Sequence, residues 1–173
     1  LNPTNKVTLD QVKISHDGSI VKNNWEISSN VADDQIMEGD EQDNNTLKTL
    51  IDQDYSSVYH GETNKNIEFI LNMNASQQVV GFKYTGVENA KDNLKNYEIA
   101  LSDDGKEWTT VALGSLQASP ITQTVFFSSD KDYTSNKLEI FDARYVKIIA
   151  KQKTLSAAEI DILAPPGDNV DLT

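Results

Sequence analysis

Residues 67–73 read "IEFILNM". Ile67, Phe69, Leu71 and Met73 alternate with Glu68, Ile70 and Asn72, a period of two that places one face of a strand against a core. The rhythm returns at Val80, Phe82 and Tyr84, after a turn-like "NASQ" at residues 74–77. Tyr97, Ile99 and Leu101 continue it, and the "SDDGKEW" that follows carries Asp-Gly, a tight-turn signal. "QTVFFSS", "KLEIF", "RYVKIIA" and "AEIDIL" read as four more short strands, and "NWEISS" as an earlier one. Residues 44–52, "NNTLKTLID", hint at one short helix. About eight short strands with turn-rich connections predict an antiparallel sandwich or barrel. Trp25 and Trp108 fall on strand-like stretches and are expected in the core. Phe126 and Phe127 must face opposite sides of a regular strand.

The chain has 173 residues, enough for one domain with a substantial core. Its formal net charge of −12 repels phosphate backbones and anionic headgroups, which speaks against nucleic-acid and anionic-membrane partners. No apolar run approaches the roughly 20 residues that span a bilayer. There is no cysteine, so thiolate metal sites and disulfides are excluded. Residues 31–45 contain Asp33, Asp34, Glu38, Asp40, Glu41 and Asp43 and no basic residue, which reads as a solvated acidic loop. The expected organisation is an N-terminal extension over 1–23, a sandwich over 24–164 and a linker to a further module over 165–173.

Catalysis finds little support. His16 and His60 are the two histidines, and neither lies in a metal-hydrolase spacing. No nucleophile elbow, phosphate-binding loop or dinucleotide fingerprint is present. Asp52, Asp54 and Ser56 occupy the first, third and fifth places of a possible calcium loop. Places six and twelve hold Ser57 and Thr63 instead of glycine and glutamate, which excludes an EF-hand. On spacing alone, a metal loop and a hydrogen-bonded Asx turn are equally good readings of this stretch.

Four segments together resemble a known family. "LIDQDYSSVYH" (50–60) is similar to the A-x-D-G-x-x-x-T-x-W-H stretch of discoidin-like, coagulation-factor C-type domains. "NYEIALSDDGKEWTTV" (96–111) resembles their Y-E-x-x-x-S-x-D-G-x-x-W segment, "DARYVKIIA" (142–150) their A-R-Y-V-R-I strand, and "SAAEIDIL" (156–163) their closing strand. The segments occur in family order, and the acidic composition looks most like bacterial carbohydrate-binding modules of family 32. The resemblance implies an all-β, eight-stranded antiparallel jelly-roll β-sandwich of the galactose-binding-domain type. It also implies a structural calcium held by Thr49, Asp52, Asp54, Ser57, Ala158 and Glu159. Gln53 departs from the family's glycine, and Ser57 replaces its threonine while keeping a hydroxyl oxygen.

For sugar-binding members the resemblance implies a histidine, a stacking tryptophan three residues later and an arginine in the loop before residue 97. Only the histidine is matched, as His60. Thr63 stands at the stacking place, and Lys91 offers charge without a guanidinium fork. The candidate ligand residues are His60, Glu62, Asn64, Asn89, Lys91, Tyr133 and Leu155. His60 also reads as a strand-end histidine with a satisfied hydrogen bond, and Tyr133 as a loop tyrosine packed on a sheet edge. The expected function is a non-catalytic module that binds glycan, of galactose or N-acetylhexosamine type. It would belong to a larger secreted or cell-wall-attached bacterial glycoside hydrolase or surface protein, beside neighbouring modules. The alternative is a structural or protein-interaction sandwich that has lost sugar binding.

Overall fold

The alternation that begins at Ile67 is realised as a long strand whose inward residues, Ile67, Phe69, Leu71 and Met73, are all buried. The computed structural model describes residues 18–32, 47–130, 132–133 and 137–166. Most of the N-terminal extension, acidic residues 33–45 and tail residues 167–173 therefore lie outside the described residues. In chain order the elements are β1 (Glu26–Ser29), a 3-10 helix (Leu47–Ile51), β2 (Tyr59–Glu62), β3 (Ile67–Val79), β4 (Gly81–Thr85) and β5 (Asn96–Ser102). They continue as β6 (Thr109–Ser115), β7 (Gln123–Phe126), β8 (Phe141–Ala150), β9 (Thr154–Ala157) and β10 (Glu159–Leu163).

Every strand pairing is antiparallel. One sheet has the order β1-β3-β8-β5-β6, a second β10-β4-β7, and β2 pairs with β9. One core unites them. Phe69, Leu71, Ile99, Val146 and Ile148 from the larger sheet belong to the same buried cluster as Phe82, Tyr84, Val125, Ile160 and Ile162 from the smaller. This is the expected all-β sandwich.

Ten strands are described rather than the eight expected. The three unanticipated ones lack clean alternation. β2 contains Gly61, over which the Tyr59 ring folds so closely that a Cβ there would meet its hydroxyl at 2.1 Å. β6 buries only Val111 and Ala112, and β9 buries three residues in a row. "KLEIF" is no strand before Phe141. The Glu139 carboxylate instead accepts hydrogen bonds from the Ser129 hydroxyl (2.7 Å) and amide (3.0 Å), holding the segment as a loop. "NASQ" lies within β3 as an irregularity between Asn72 and Gln77, with Asn74 at φ 64°. Its turn chemistry bends the strand without ending it. The expected helix is a 3-10 helix only, Leu47–Ile51.

Trp25 is buried, but Trp108 is not core. It is half-buried, and the Lys147 ammonium stands 4.2 Å from its ring centre. Phe127 is buried and Phe126 is 53% exposed, as strand geometry requires.

Two polar devices fix the connections. In the turn after β5, the Asp104 carboxylate accepts from the amides of Lys106 (2.8 Å) and Glu107 (3.0 Å) and from the Ser102 hydroxyl (3.0 Å), while Gly105 takes φ 76°. Between β4 and β5, the buried Tyr84 hydroxyl donates to the Ser156 carbonyl and accepts from the Leu94 amide (3.0 Å). Asn93 closes that loop on Val87 through bonds of 2.9 and 3.0 Å.

Tyr84→Phe leaves the Ser156 carbonyl and Leu94 amide without this partner, and is expected to cost about 1–3 kcal/mol in urea denaturation. The bonds from Glu107, Lys106 and Ser102 hold Asp104 below its ordinary value of 3.8. A lowered carboxylate contributes stability above its unfolded value and loses it as pH falls through its folded value. The gap in melting temperature between the wild type and Asp104→Ala should therefore be constant near neutrality and shrink below about pH 4.

Candidate functional site

The loop over residues 52–57 meets Glu159 through a backbone amide. Asp52 and Asp54 follow the 3-10 helix, and Gln53 between them adopts φ 63°, the left-handed geometry that glycine would take most easily. The Gln53 amide donates to Glu159 Oε2 at 3.0 Å. Asp52 Oδ2 accepts from the Ser57 hydroxyl (2.7 Å), and Asp52 Oδ1 accepts from the Asp54 amide (2.8 Å). The Asp54 carbonyl also lies 2.8 Å from the Ser57 hydroxyl. Thr49 is buried in the 3-10 helix, and Ala158, beside Glu159, donates its amide to the Thr85 carbonyl at 2.8 Å.

The cation at this junction is Lys22. Its ammonium contacts Glu159 Oε2 and stands 2.8 Å from Asp161 Oδ1, while the Tyr55 hydroxyl donates to Asp161 Oδ2 at 2.8 Å. Burial pushes the Glu159 carboxyl up to about 8, and the Lys22 ammonium and the Gln53 amide offset only part of that rise. Asp52, Asp54 and Ser57 bond to one another, while Glu159 meets this loop through the Gln53 amide and holds the Lys22 ammonium. The set does not fit a divalent ion alongside Lys22.

His60, on β2, is the centre of a second polar group. Its Nδ1 lies 2.7 Å from the Ser156 hydroxyl on the paired strand β9, and its Nε2 lies 3.4 Å from the Asp92 carboxylate. The ring is 34% exposed. Asp92 comes from the loop between β4 and β5, which docks on β9 through its carbonyl. That carbonyl accepts from the Ser156 amide (3.0 Å) and from Gln152 Nε2 (3.0 Å). The same loop walls a cleft of about 190 Å³ with Asn89, Lys91, Ser119 and Pro120 in its lining, and Asn89 is held at φ 64°.

The other expected ligand residues divide. Glu62 is exposed at the end of β2, two residues from His60, and Asn64 is exposed just beyond it. Leu155 is 2% exposed and belongs to the core, so its assignment to a ligand surface is corrected: β9 turns that side chain inward. Tyr133 lies in the loop after β7 at φ 55°, and no contact among the described residues joins it to His60. Thr63 is buried and donates its amide to the Lys153 carbonyl at 2.9 Å, so the stacking place offers no surface. Sequence reasoning missed Lys22, Asp92 and Ser156. Lys22 carries no local signal, and the other two acquire meaning only from cross-strand partners.

Comparison with known proteins agrees with this architecture. The family model described as "F5/8 type C domain" matches residues 27–160. No curated protein sequence matches. Among solved structures, the module CpGH89CBM32-5 from Clostridium perfringens, in complex with GalNAc-β-1,3-galactose, has a TM-score of 0.68 at 20% identity, covering 84% of this chain and 99% of that one. The C-terminal domain of a chitobiase from Bacteroides fragilis has a TM-score of 0.68 at 18% identity, covering 85% and 97%. The family 32 module of C. perfringens NanJ, in complex with galactose, has a TM-score of 0.64 at 21% identity, covering 84% and 97%. Strand order, core and family match converge: the chain belongs to the F5/8 type C, or discoidin, domain family.

Proposed function

We propose that this chain is a non-catalytic glycan-binding module, working within a larger secreted or cell-wall-attached bacterial protein such as a glycoside hydrolase. The observation that carries the proposal is the partly exposed His60, held between Ser156 and Asp92 at a loop-built edge. A sugar hydroxyl donates and accepts at once, and a positioned imidazole beside a carboxylate offers both roles. The cleft with Asn89 and Lys91 adds further polar groups from the same loop. Solved relatives of the same fold are described in complex with GalNAc-β-1,3-galactose and with galactose. The net charge of −12 and the position of Asp92 favour neutral sugars over acidic ones. Affinity at one such site is weak, and neighbouring modules would raise it through avidity. A structural calcium forms no part of the proposal, because Lys22 holds the carboxylate that would close its shell.

One observation favours a second reading. Thr63, at the stacking place, is buried and offers no aromatic platform of the kind that sugars usually meet. A sandwich packing against adjacent modules would need none.

Glycan-array screening followed by calorimetry should find binding to terminal galactose or N-acetylhexosamine, and His60→Ala should weaken it roughly 10- to 100-fold with the fold intact by circular dichroism. Silence across neutral and acidic glycans, together with pull-down by the parent protein's adjacent modules, would replace the first reading with the second.

A further inference from the structure

Glu159 and Asp161 lie two residues apart on β10, on the opposite side of the strand from the core residues Ile160 and Ile162. Their side chains are 0% and 4% exposed, and that of Lys22 is 1% exposed. A lysine ammonium is almost never buried to this degree unless it is paired.

The chain delivers it there by strand addition. β10 is the edge of its sheet, and residues 18–20 run antiparallel along its free side. Ser19 bridges Leu163, the Ile20 amide donates to the Ile162 carbonyl (2.8 Å), and the Ala164 amide donates to the Gly18 carbonyl (2.9 Å). Lys22 follows two residues later. Across the sheet, Lys83 is the register partner of Asp161 on β4.

Several other oxygens of the junction are engaged. Both oxygens of Asp52 accept hydrogen bonds, and Glu159 Oε2 accepts from the Gln53 amide as well as from Lys22. Among the described residues Glu159 Oε1 is buried and accepts no hydrogen bond, while the Lys22 ammonium sits on the other oxygen of the same carboxylate. A divalent ion on Glu159 would have to displace the ammonium or share the carboxylate with it, and like charges a few ångströms apart repel.

We propose that the Lys22 ammonium is the resident cation of this junction. It bridges the two β10 carboxylates to which the loop over residues 52–57 bonds through the Gln53 amide and the Tyr55 hydroxyl, and the domain needs no divalent metal to hold that loop. Residues 18–22 are then a working part of the fold and not a connecting tail.

The test uses the unaltered chain and two variants. Elemental analysis of the purified chain should find far less than one calcium per molecule, and its melting temperature should be the same in chelator and in millimolar calcium chloride. Lys22→Ala should melt roughly 6–20 °C lower. Should that variant fail to fold, Lys22→Arg, which keeps the charge, should fold and remain insensitive to chelator. Stoichiometric calcium in the unaltered chain, a melting temperature that falls with chelator and returns with calcium, or an unchanged melting temperature in Lys22→Ala would each overturn the proposal.

Discussion

β10 is buried on both of its faces, yet two of its five residues are carboxylates. Burying a charge without a partner is among the largest penalties a fold can meet. Everything near β10 is arranged around that constraint. Residues 18–20 pair with its free edge, Lys22 bridges Glu159 and Asp161, and the turn after the 3-10 helix lends the Gln53 amide and Tyr55 hydroxyl. Such a cluster is not evidence of high stability, since apolar packing could match it. Its consequence is geometric: it joins the N-terminal segment and the loop after the 3-10 helix to the same two carboxylates.

The constraint reaches the candidate binding edge through short pieces of backbone. Ser57 closes the turn over Asp52, and β2 begins two residues later with Tyr59 and His60. β10 is preceded directly by β9, which carries Ser156, the hydrogen-bond partner of His60. Tyr84 adds a third tie, since its hydroxyl joins the Ser156 carbonyl to the loop that brings Asp92. His60 is thus held on paired strands, while its partner Asp92 comes from the loop that also carries Asn89 and Lys91. This division, scaffold plus variable loop, is how sandwiches build sites without disturbing their cores.

Much of the scaffold was legible in the chain. Alternation in β3, β5 and β8 produced their buried faces, and Asp-Gly at 104–105 produced the turn. Gln53 in place of glycine marked a position that does take positive φ. Other positions misled for physical reasons. "KLEIF" has strand-like alternation, but Glu139 finds better partners in Ser128 and Ser129 than a ladder would offer. Trp108 looked like core because it falls on a strand-like stretch, yet it is half-buried and the Lys147 ammonium stands over its indole.

By itself, the sequence determined the all-β architecture and the family pattern, since both are written as local periodicity or ordered motif, and Glu159 as partner of the 52–57 loop came only from what the family resemblance implies. Only the tertiary structure decided which charge answers Glu159, which groups surround His60, and that Leu155 turns inward. Those outcomes depend on pairs far apart in the chain, 137 residues for Lys22 and Glu159 and 96 for His60 and Ser156. A local pattern encodes which side of a strand a residue takes. It does not encode what the fold brings to meet it.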